Sequence, residues 1–257
     1  MSRQKLTIIV PCFNEEANIV DCLESCRSLA DELIAVDSFS TDRTVELAQG
    51  IADRVLQHEY INSAAQKNWA IPQAAHQWVM IVDADERLTP ALRDEIDAVL
   101  LDPQHDGWCV HRLNHFLGRP IRHCGWNRDR CLRLFHRDRG RYQEREVHAD
   151  VEGCRSVGQL RERLLHFTCR DLATYLKKHD RYTTWAAGDR AKMTPRVRWY
   201  HLTLRPAWRF FKQWVLRLGF LDGKPGLIIC WLSAHSVFMK YAKLWERQRR
   251  GDGDGGL

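Results

Sequence analysis

Ile81–Glu86 reads IVDADE, and it closes a continuous apolar run, Trp78–Val82. An uninterrupted apolar run of this length, stopped by acids, predicts a strand buried on both faces. Working outward, Leu6–Val10 is a second such run, ending at Pro11. Leu33–Val36 is a third, ending at Asp37, and Arg54–Gln57 is a shorter fourth. Helical spacing fills the gaps. Ile19, Cys22, Leu23, Cys26 and Leu29 recur on one face, Asp42 opens a helix through Val45, Leu47 and Ala48, and Ala64–Ala75 is helical until Pro72 bends or ends it. Pro90 suits the first turn of a helix running to Leu101. Strand alternating with helix predicts an α/β fold whose parallel strands are covered on both faces. Ligands bind beyond the carboxyl ends of such strands. Here those ends are Pro11–Glu16, Asp37–Asp42 and Asp83–Glu86.

Two carboxylates spaced Asp-x-Asp at a strand end repel each other unless a cation or protons lie between them. Mg²⁺ or Mn²⁺ takes a few hard oxygen ligands and completes its shell with phosphate and water. The pair Asp83 and Asp85 therefore suits a divalent metal that bridges protein to a diphosphate, although the same spacing also occurs in solvated acidic turns. In IAVDSFSTDRT, Ile34–Thr44, Asp37 ends the strand as an acceptor, while Thr41 and Asp42 suit helix capping. The first turn, PCFNEE from Pro11 to Glu16, has no glycine. That excludes the dinucleotide fingerprint and the P-loop.

The chain has 257 residues, 44% of them hydrophobic and 28% charged, so it reads as globular. It has no run of 18 uncharged apolar residues and no apparent export signal at its N-terminus. Its nine cysteines include no CxxC pair and are expected to be reduced thiols. His123, Cys124, Cys131 and His136 lack the short paired spacings of structural zinc sites. Charge is uneven. Residues 1–106 carry 8 Lys/Arg against 19 Asp/Glu, and residues 107–257 carry 31 against 14. The basic half is expected to meet something anionic. Within it, Trp108–Leu117 could be a strand, Gly118–Arg145 reads as loop, and a helix capped by Asp171 carries Leu172, Tyr175, Leu176 and His179. Trp208, Phe211, Val215 and Leu218 form one stripe of a helix over Pro206–Leu218. That pattern suits a core-facing helix or an interfacial one. Leu227–Trp245 is a further apolar helix, and the tail GDGDGGL, 251–257, is expected to be disordered.

IVPCFNEE, VDSFSTDRT and VDADE, in that order, resemble glycosyltransferase family 2, and the resemblance covers residues 1–106. The second half narrows it. GWNRDRCLRLFHR (125–137), REVHADV (145–151) and RPAWRFFKQWVLRLGFLDGKPGL (205–227) look like the lipopolysaccharide core glycosyltransferases of the WaaE/KdtX type. The resemblance implies a GT-A fold, a Rossmann-like mixed sheet flanked by helices, with a C-terminal helical extension that associates with membrane. It divides the chain into a nucleotide-sugar-binding part (1–106), an acceptor-binding part of the same domain (107–200), amphipathic helices (201–250) and the tail. It implies an inverting, metal-assisted hexosyl transfer, with glucose as the expected sugar, from a UDP-sugar to an inner-core heptose of the lipid A–Kdo–heptose acceptor. The enzyme is then expected in the cytoplasm, peripheral on the inner membrane, with no nucleic-acid partner.

Carried over residue by residue, the resemblance places Pro11 and Glu15 near the nucleoside and Asp37 and Ser38 near the base. Lys67, in AAQKNWA, would stand near phosphate or base, Asp83 near the ribose and, with Asp85, on the metal. His148 would be a further metal or diphosphate contact. Many relatives have Glu directly after the Val-His pair; this chain has Ala149. The base that takes the acceptor proton is then expected among Asp150, Glu146 and Glu144, with Asp150 favoured and Glu146 next after it. Two other readings stay open from sequence alone: a family 2 transferase with another cell-envelope or lipid-linked acceptor, and a non-catalytic or nucleic-acid-binding basic protein. No helix-turn-helix, zinc-finger or RNP signature supports the last.

Overall fold

A computed structural model describes residues 2–143, 150–169 and 171–253, the last three of these for backbone only. Chain contacts divide it into two units. Unit 1 holds Met1–Leu113 and Arg128–His166, and unit 2 holds Asn114–Asn127 and Phe167–Leu257. The boundaries expected near residues 106 and 200 fall inside units 1 and 2 respectively.

Unit 1 begins with the expected alternation: β1 (Leu6–Cys12), α1 (Ile19–Arg27), β2 (Glu32–Asp37), α2 (Thr44–Gln49), β3 (Arg54–Gln57), α3 (Ser63–Ala70), β4 (Trp78–Ile81), β5 (Glu86–Arg87) and α4 (Pro90–Leu101). There follow β6 (Gly107–Phe116), β7 (Arg119–Pro120), β8 (Arg130–His136), β9 (Arg141–Tyr142), β10 (Val151–Glu152) and β11 (Val157–Cys169). The main sheet runs β3-β2-β1-β4-β8-β6-β11-β5, with β7 beside β6. The first four strands are parallel, as the sequence suggests. From β8 on, the pairings given by register are antiparallel, so the sheet is mixed rather than parallel throughout. The stretch 118–145, expected as loop, holds β8 within it. Its alternation of Leu132, Leu134 and Phe135 with arginines hides a buried strand behind a high positive charge.

The side-chain period of two explains why both faces are covered. Leu6, Ile8, Val10, Leu33, Ala35 and Met80 pack with α1 and α4, while Ile9, Ile34, Val36, Val79 and Ile81 pack on the opposite face with α3. α1 presents Ile19, Cys22, Leu23 and Cys26 at helical spacing. α4 starts where Thr89 accepts a hydrogen bond from the Leu92 N–H, with Pro90 in its first turn. Pro72 does end α3, which passes into a 3₁₀ turn at Ile71–Gln73. Pro11 is tolerated inside β1. The Ile9 carbonyl accepts from the Val82 N–H. By alternation, the position of the missing Pro11 N–H faces the same neighbour, which has already left the ladder.

Unit 2 contains α5 (Leu172–Ala191), α6 (Trp199–Leu202), α7 (Leu204–Phe211) and α8 (Gly223–Gly253). Asp171 caps α5 by accepting from the Thr174 N–H at 2.7 Å. The expected helix over 206–218 is shorter: α7 gives way to a π-turn at Lys212–Leu216. α8 continues through Gly253 into the tail, and residues 254–257 lie outside the described residues. No helix among the described residues is long and apolar enough to cross a membrane.

Glu32, at the start of β2, is buried and accepts from the Thr7 hydroxyl (2.8 Å), the Ala75 N–H (2.6 Å) and Arg54 (3.0 Å). Burial pushes its carboxyl up, but these donors outweigh burial and hold it below its ordinary value of 4.5. A carboxylate held low contributes stability that is present above the ordinary value and lost as pH falls through the folded one. Glu32→Gln should therefore flatten the acid limb of stability against pH, read as the urea midpoint from neutral pH downward. An unchanged acid limb would show that other carboxylates carry it.

Candidate functional site

Because β1, β2 and β4 are parallel and in register, their carboxyl ends come out at one edge of the sheet. The loops that leave them are stitched to each other. Asn14 takes a left-handed φ of 52°, which its side chain tolerates. Its N–H donates to Ser40 Oγ (2.8 Å), and its Oδ1 accepts from the Thr41 N–H (2.8 Å). The Glu15 N–H donates to Thr44 Oγ1 at 2.7 Å, and the Glu15 carboxylate accepts from Asn18 at 2.6 Å. Pro11 lies one residue before the end of β1 and is half-buried.

Asp37 has no exposed surface. Its carboxylate accepts from the Ser40 N–H (3.0 Å), the Ser40 hydroxyl and Gln57 Nε2 (3.2 Å). Ser38 is buried too and accepts from Gln66 Nε2 at 2.6 Å. Both residues were expected beside a nucleobase. In this structure their polar atoms are enclosed and hold the shape of the loop. What the loop presents outward is Phe39, held at a left-handed φ of 59° and 55% exposed. A bulky residue there costs roughly 1–3 kcal/mol, offset by the surrounding hydrogen bonds.

Asp83 stands between two cations. Lys67 Nζ lies 2.8 Å from its Oδ1, and the Arg133 guanidinium bonds its Oδ2. Burial opposes the charged form, yet Arg133 and Lys67 outweigh it and hold Asp83 well below the usual carboxylate range. Lys67 and Arg133 are held above their usual ranges in return. Lys67 reaches Asp83 because α3 turns Gln66 and Lys67 inward with Ala64 and Ala70. Its ammonium also sits 5.2 Å from the centre of the Tyr142 ring, and Asn68 fixes the Tyr142 backbone through two hydrogen bonds, at 2.8 and 2.9 Å. Lys67, expected near phosphate or base, is buried and paired with Asp83.

Glu86 completes the cluster. It is fully buried, lies 2.6 Å from Arg133 and 3.4 Å from Arg112, and accepts from the Asp83 N–H at 2.9 Å. Arg112 is itself held by both oxygens of Asp129. Arg87 donates to the carbonyls of Ala84 (2.8 Å) and Asn18 (2.9 Å), tying the third loop to the first.

Asp85 lies beside His166, with Nε2 to Oδ2 at 3.5 Å, because β11 pairs with β5 and sets His166 opposite Glu86. No group of three or more His, Cys, Asp or Glu among the described residues is placed to hold a metal. Asp85 and His166 offer one hard oxygen and one imidazole nitrogen, which fits an ion that draws its other ligands from a diphosphate and water. Asp150 is exposed at the edge of the β9–β10 hairpin, where its carbonyl accepts from the Gln143 N–H at 3.0 Å. Its carboxylate helps raise the Cys109 thiol, after burial and against Arg130. Glu144, Glu146 and His148 lie outside the described residues.

Sequence reasoning thus missed Arg133, Glu86, Arg112, Gln66 and His166. Arg133 had a readable signal: an arginine on the buried face of an apolar strand needs an acidic partner. The third acid of IVDADE had a similar one. His166 had none, since its pairing with Asp85 comes from strand order.

The glycosyl transferase family 2 profile matches residues 7–159. A lipopolysaccharide core biosynthesis glycosyltransferase, LpsC of Rhizobium meliloti, is 31% identical over 252 residues, covering 92% of this chain and 93% of its own. An uncharacterized glycosyltransferase of Rickettsia felis is 25% identical over 95% of this chain and 90% of its own. Among solved structures, Staphylococcus aureus TarS 1–349 is 14% identical over 96% of this chain and 92% of that one, with a TM-score of 0.47. The family match, the long relative and the observed mixed sheet agree: the chain belongs to glycosyl transferase family 2, with a GT-A-like fold.

Proposed function

We propose that this glycosyltransferase moves a hexose, glucose in the first instance, from a UDP-sugar to an inner-core heptose of lipopolysaccharide, with inversion and with the help of Mg²⁺ or Mn²⁺. The observation that carries the acceptor is the length of the match to LpsC. Identity of 31% over 92% of the chain runs through most of unit 2, beyond the nucleotide-binding half that family 2 members share. The donor end rests on the sheet edge. Asp85 and His166 would hold the ion, which when bound offsets the charge building on the departing diphosphate. Lys67, Arg133 and Glu86 fix Asp83 in one ionised position beside it. Asp150, exposed and carboxylate-bearing, is the favoured base for the acceptor hydroxyl, and Glu146 is its rival.

Turnover of UDP-glucose with a heptose-terminated lipopolysaccharide core, with and without Mn²⁺, tests the reading. Metal-dependent transfer supports it; transfer only to some other envelope acceptor moves it to the neighbouring branch of the family. Asp85→Asn should remove Mn²⁺-dependent UDP binding in calorimetry and lower kcat/KM by about 10²–10³, the scale of losing one electrostatic group at a leaving site. Full activity would sink the metal assignment. Asp150→Asn should lower kcat by roughly 10²–10⁴ while leaving UDP affinity alone, and the same loss in Glu146→Gln but not Asp150→Asn would hand the role to Glu146. Arg133→Met leaves Asp83 to Lys67 alone and buried Glu86 to the more distant Arg112, and should cost about 2–4 kcal/mol in urea unfolding. A loss under about 1 kcal/mol, the scale of an exposed pair, would mean that the cluster is not buried as described.

A further inference from the structure

Within unit 1, the antiparallel half of the sheet carries a polar pair that the reading above does not use. β6 and β8 set Cys109 opposite Leu132 and His111 opposite Arg130. Cross-strand partners stand side by side, and alternate residues of a strand share a face, so all four lie on one face. Leu132 joins the apolar cluster that holds Tyr142 and Val151 of the β9–β10 hairpin. Asp150 leads directly into Val151, so the expected base comes to the same region as His111 and Arg130. Electrostatics agree with that placement. Burial raises the Cys109 thiol, Arg130 opposes the rise and Asp150 adds to it, so both charges reach one sulfur.

Arg130 is exposed and, among the described residues, forms no ion pair. Its chain neighbour Asp129 does not neutralise it, because both oxygens of Asp129 accept from Arg112, at 2.8 and 3.0 Å. His111 is half-buried, and its Nδ1 is enclosed with no hydrogen-bond partner among the described residues. An enclosed polar atom calls for a partner. An unpaired guanidinium presents a planar fork of donors that matches a carboxylate or a phosphate in two parallel bonds.

We propose that Arg130 and His111 form an acceptor subsite for an anionic group, a phosphate monoester or a sugar-acid carboxylate, carried near the hydroxyl that is glycosylated. The proposal rests on the transferase reading, with Asp150 as the base. A carboxylate base repels an anionic acceptor, and a cation on the neighbouring strand reverses that repulsion. Two bonds from Arg130 and one to His111 would also fix the direction in which the acceptor hydroxyl meets Asp150. A neutral acceptor gains none of this, so the pair sets specificity. If Arg130 served only as a counter-ion for Asp150, its removal would act equally on every acceptor.

The kinetic test uses the full chain with UDP-glucose and Mn²⁺ on three acceptors: a heptose-terminated core, the same core dephosphorylated, and the same core with its carboxyl groups reduced. Arg130→Gln should raise the acceptor KM about tenfold or more on the untreated core. The KM for UDP-glucose should stay in place, and Arg130→Lys should recover part of the loss. The effect should vanish on the dephosphorylated core if phosphate is the group held, and on the carboxyl-reduced core if carboxylate is. An equal effect on all three cores, or a fall in kcat with the acceptor KM unchanged, overturns the proposal. A second arm needs no turnover. Inorganic phosphate or acetate, titrated into the chain with isotope-labelled histidine, should shift the His111 ring signals in the parent and not in Arg130→Gln; His111→Asn identifies those signals. Shifts without transfer to heptose would uphold the subsite and sink only the heptose acceptor. Transfer without any such shift would overturn the subsite alone.

Discussion

Three acids within four residues, Asp83, Asp85 and Glu86, sit at the end of a buried strand, and such a group holds together only if cations answer it. The protein supplies them from distant stretches: Lys67 from the helix before the strand, and Arg133 and Arg112 from strands after it. Arg133 matters most geometrically, because one guanidinium bonds Asp83 and Glu86 at once. Both bonds come from its Nη2, whose two N–H groups lie in the fixed plane of the guanidinium. The sheet order follows the same need. β8 lies directly against β4, so its Arg133 comes to the acids at the β4 end. The antiparallel half of the sheet is thus coupled to the parallel half by charge as well as by backbone ladder.

The cluster separates the two aspartates of the Asp-x-Asp pair into different roles. Asp83 is ionised and fixed by side chains of the protein. Asp85, two residues further on, lies beside the His166 imidazole. A metal-bridging carboxylate must keep acceptor capacity for the ion, and a neighbouring nitrogen donor adds to that capacity. The two short loops before it are organised in the same spirit. Asp37 and Ser38 spend their hydrogen bonds on loop shape, and the consequence on the surface is the placement of Phe13 and Phe39, both exposed.

The parallel part of the fold was legible because β1, β2 and β4 are continuous apolar runs closed by an acid or a proline, and the helices between keep one apolar face. β3 and α4 came out with the bounds that the pattern gives. β8 was not legible, because RCLRLFH carries two arginines and looks like loop. One of them, Arg133, is buried by partners that lie 47 and 50 residues earlier in the chain. Asp83 and Asp85 were legible as a pair, but the division of labour between them was not, since it depends on Lys67, Arg133 and His166 arriving from elsewhere. The aromatic stripe at 208–218 had a readable period but no readable direction. Periodicity says that a face exists, and only the packing of Phe210 and Trp214 shows which face is inward.

The charge asymmetry along the chain resolves into two physical uses. Some cations of the basic half, Arg112 and Arg133, are pulled into unit 1, where each is paired to buried or half-buried carboxylates. Pairing of that kind removes them from the surface potential. Those of unit 2 between residues 199 and 245 have almost no acids near them in sequence, and they flank exposed aromatic and aliphatic side chains. Lys243 among them is paired with Asp180 at 2.6 Å, across from α8 to α5. The same net positive charge that suggests a polyanion from composition alone is, in the folded molecule, half a site-building device and half a surface.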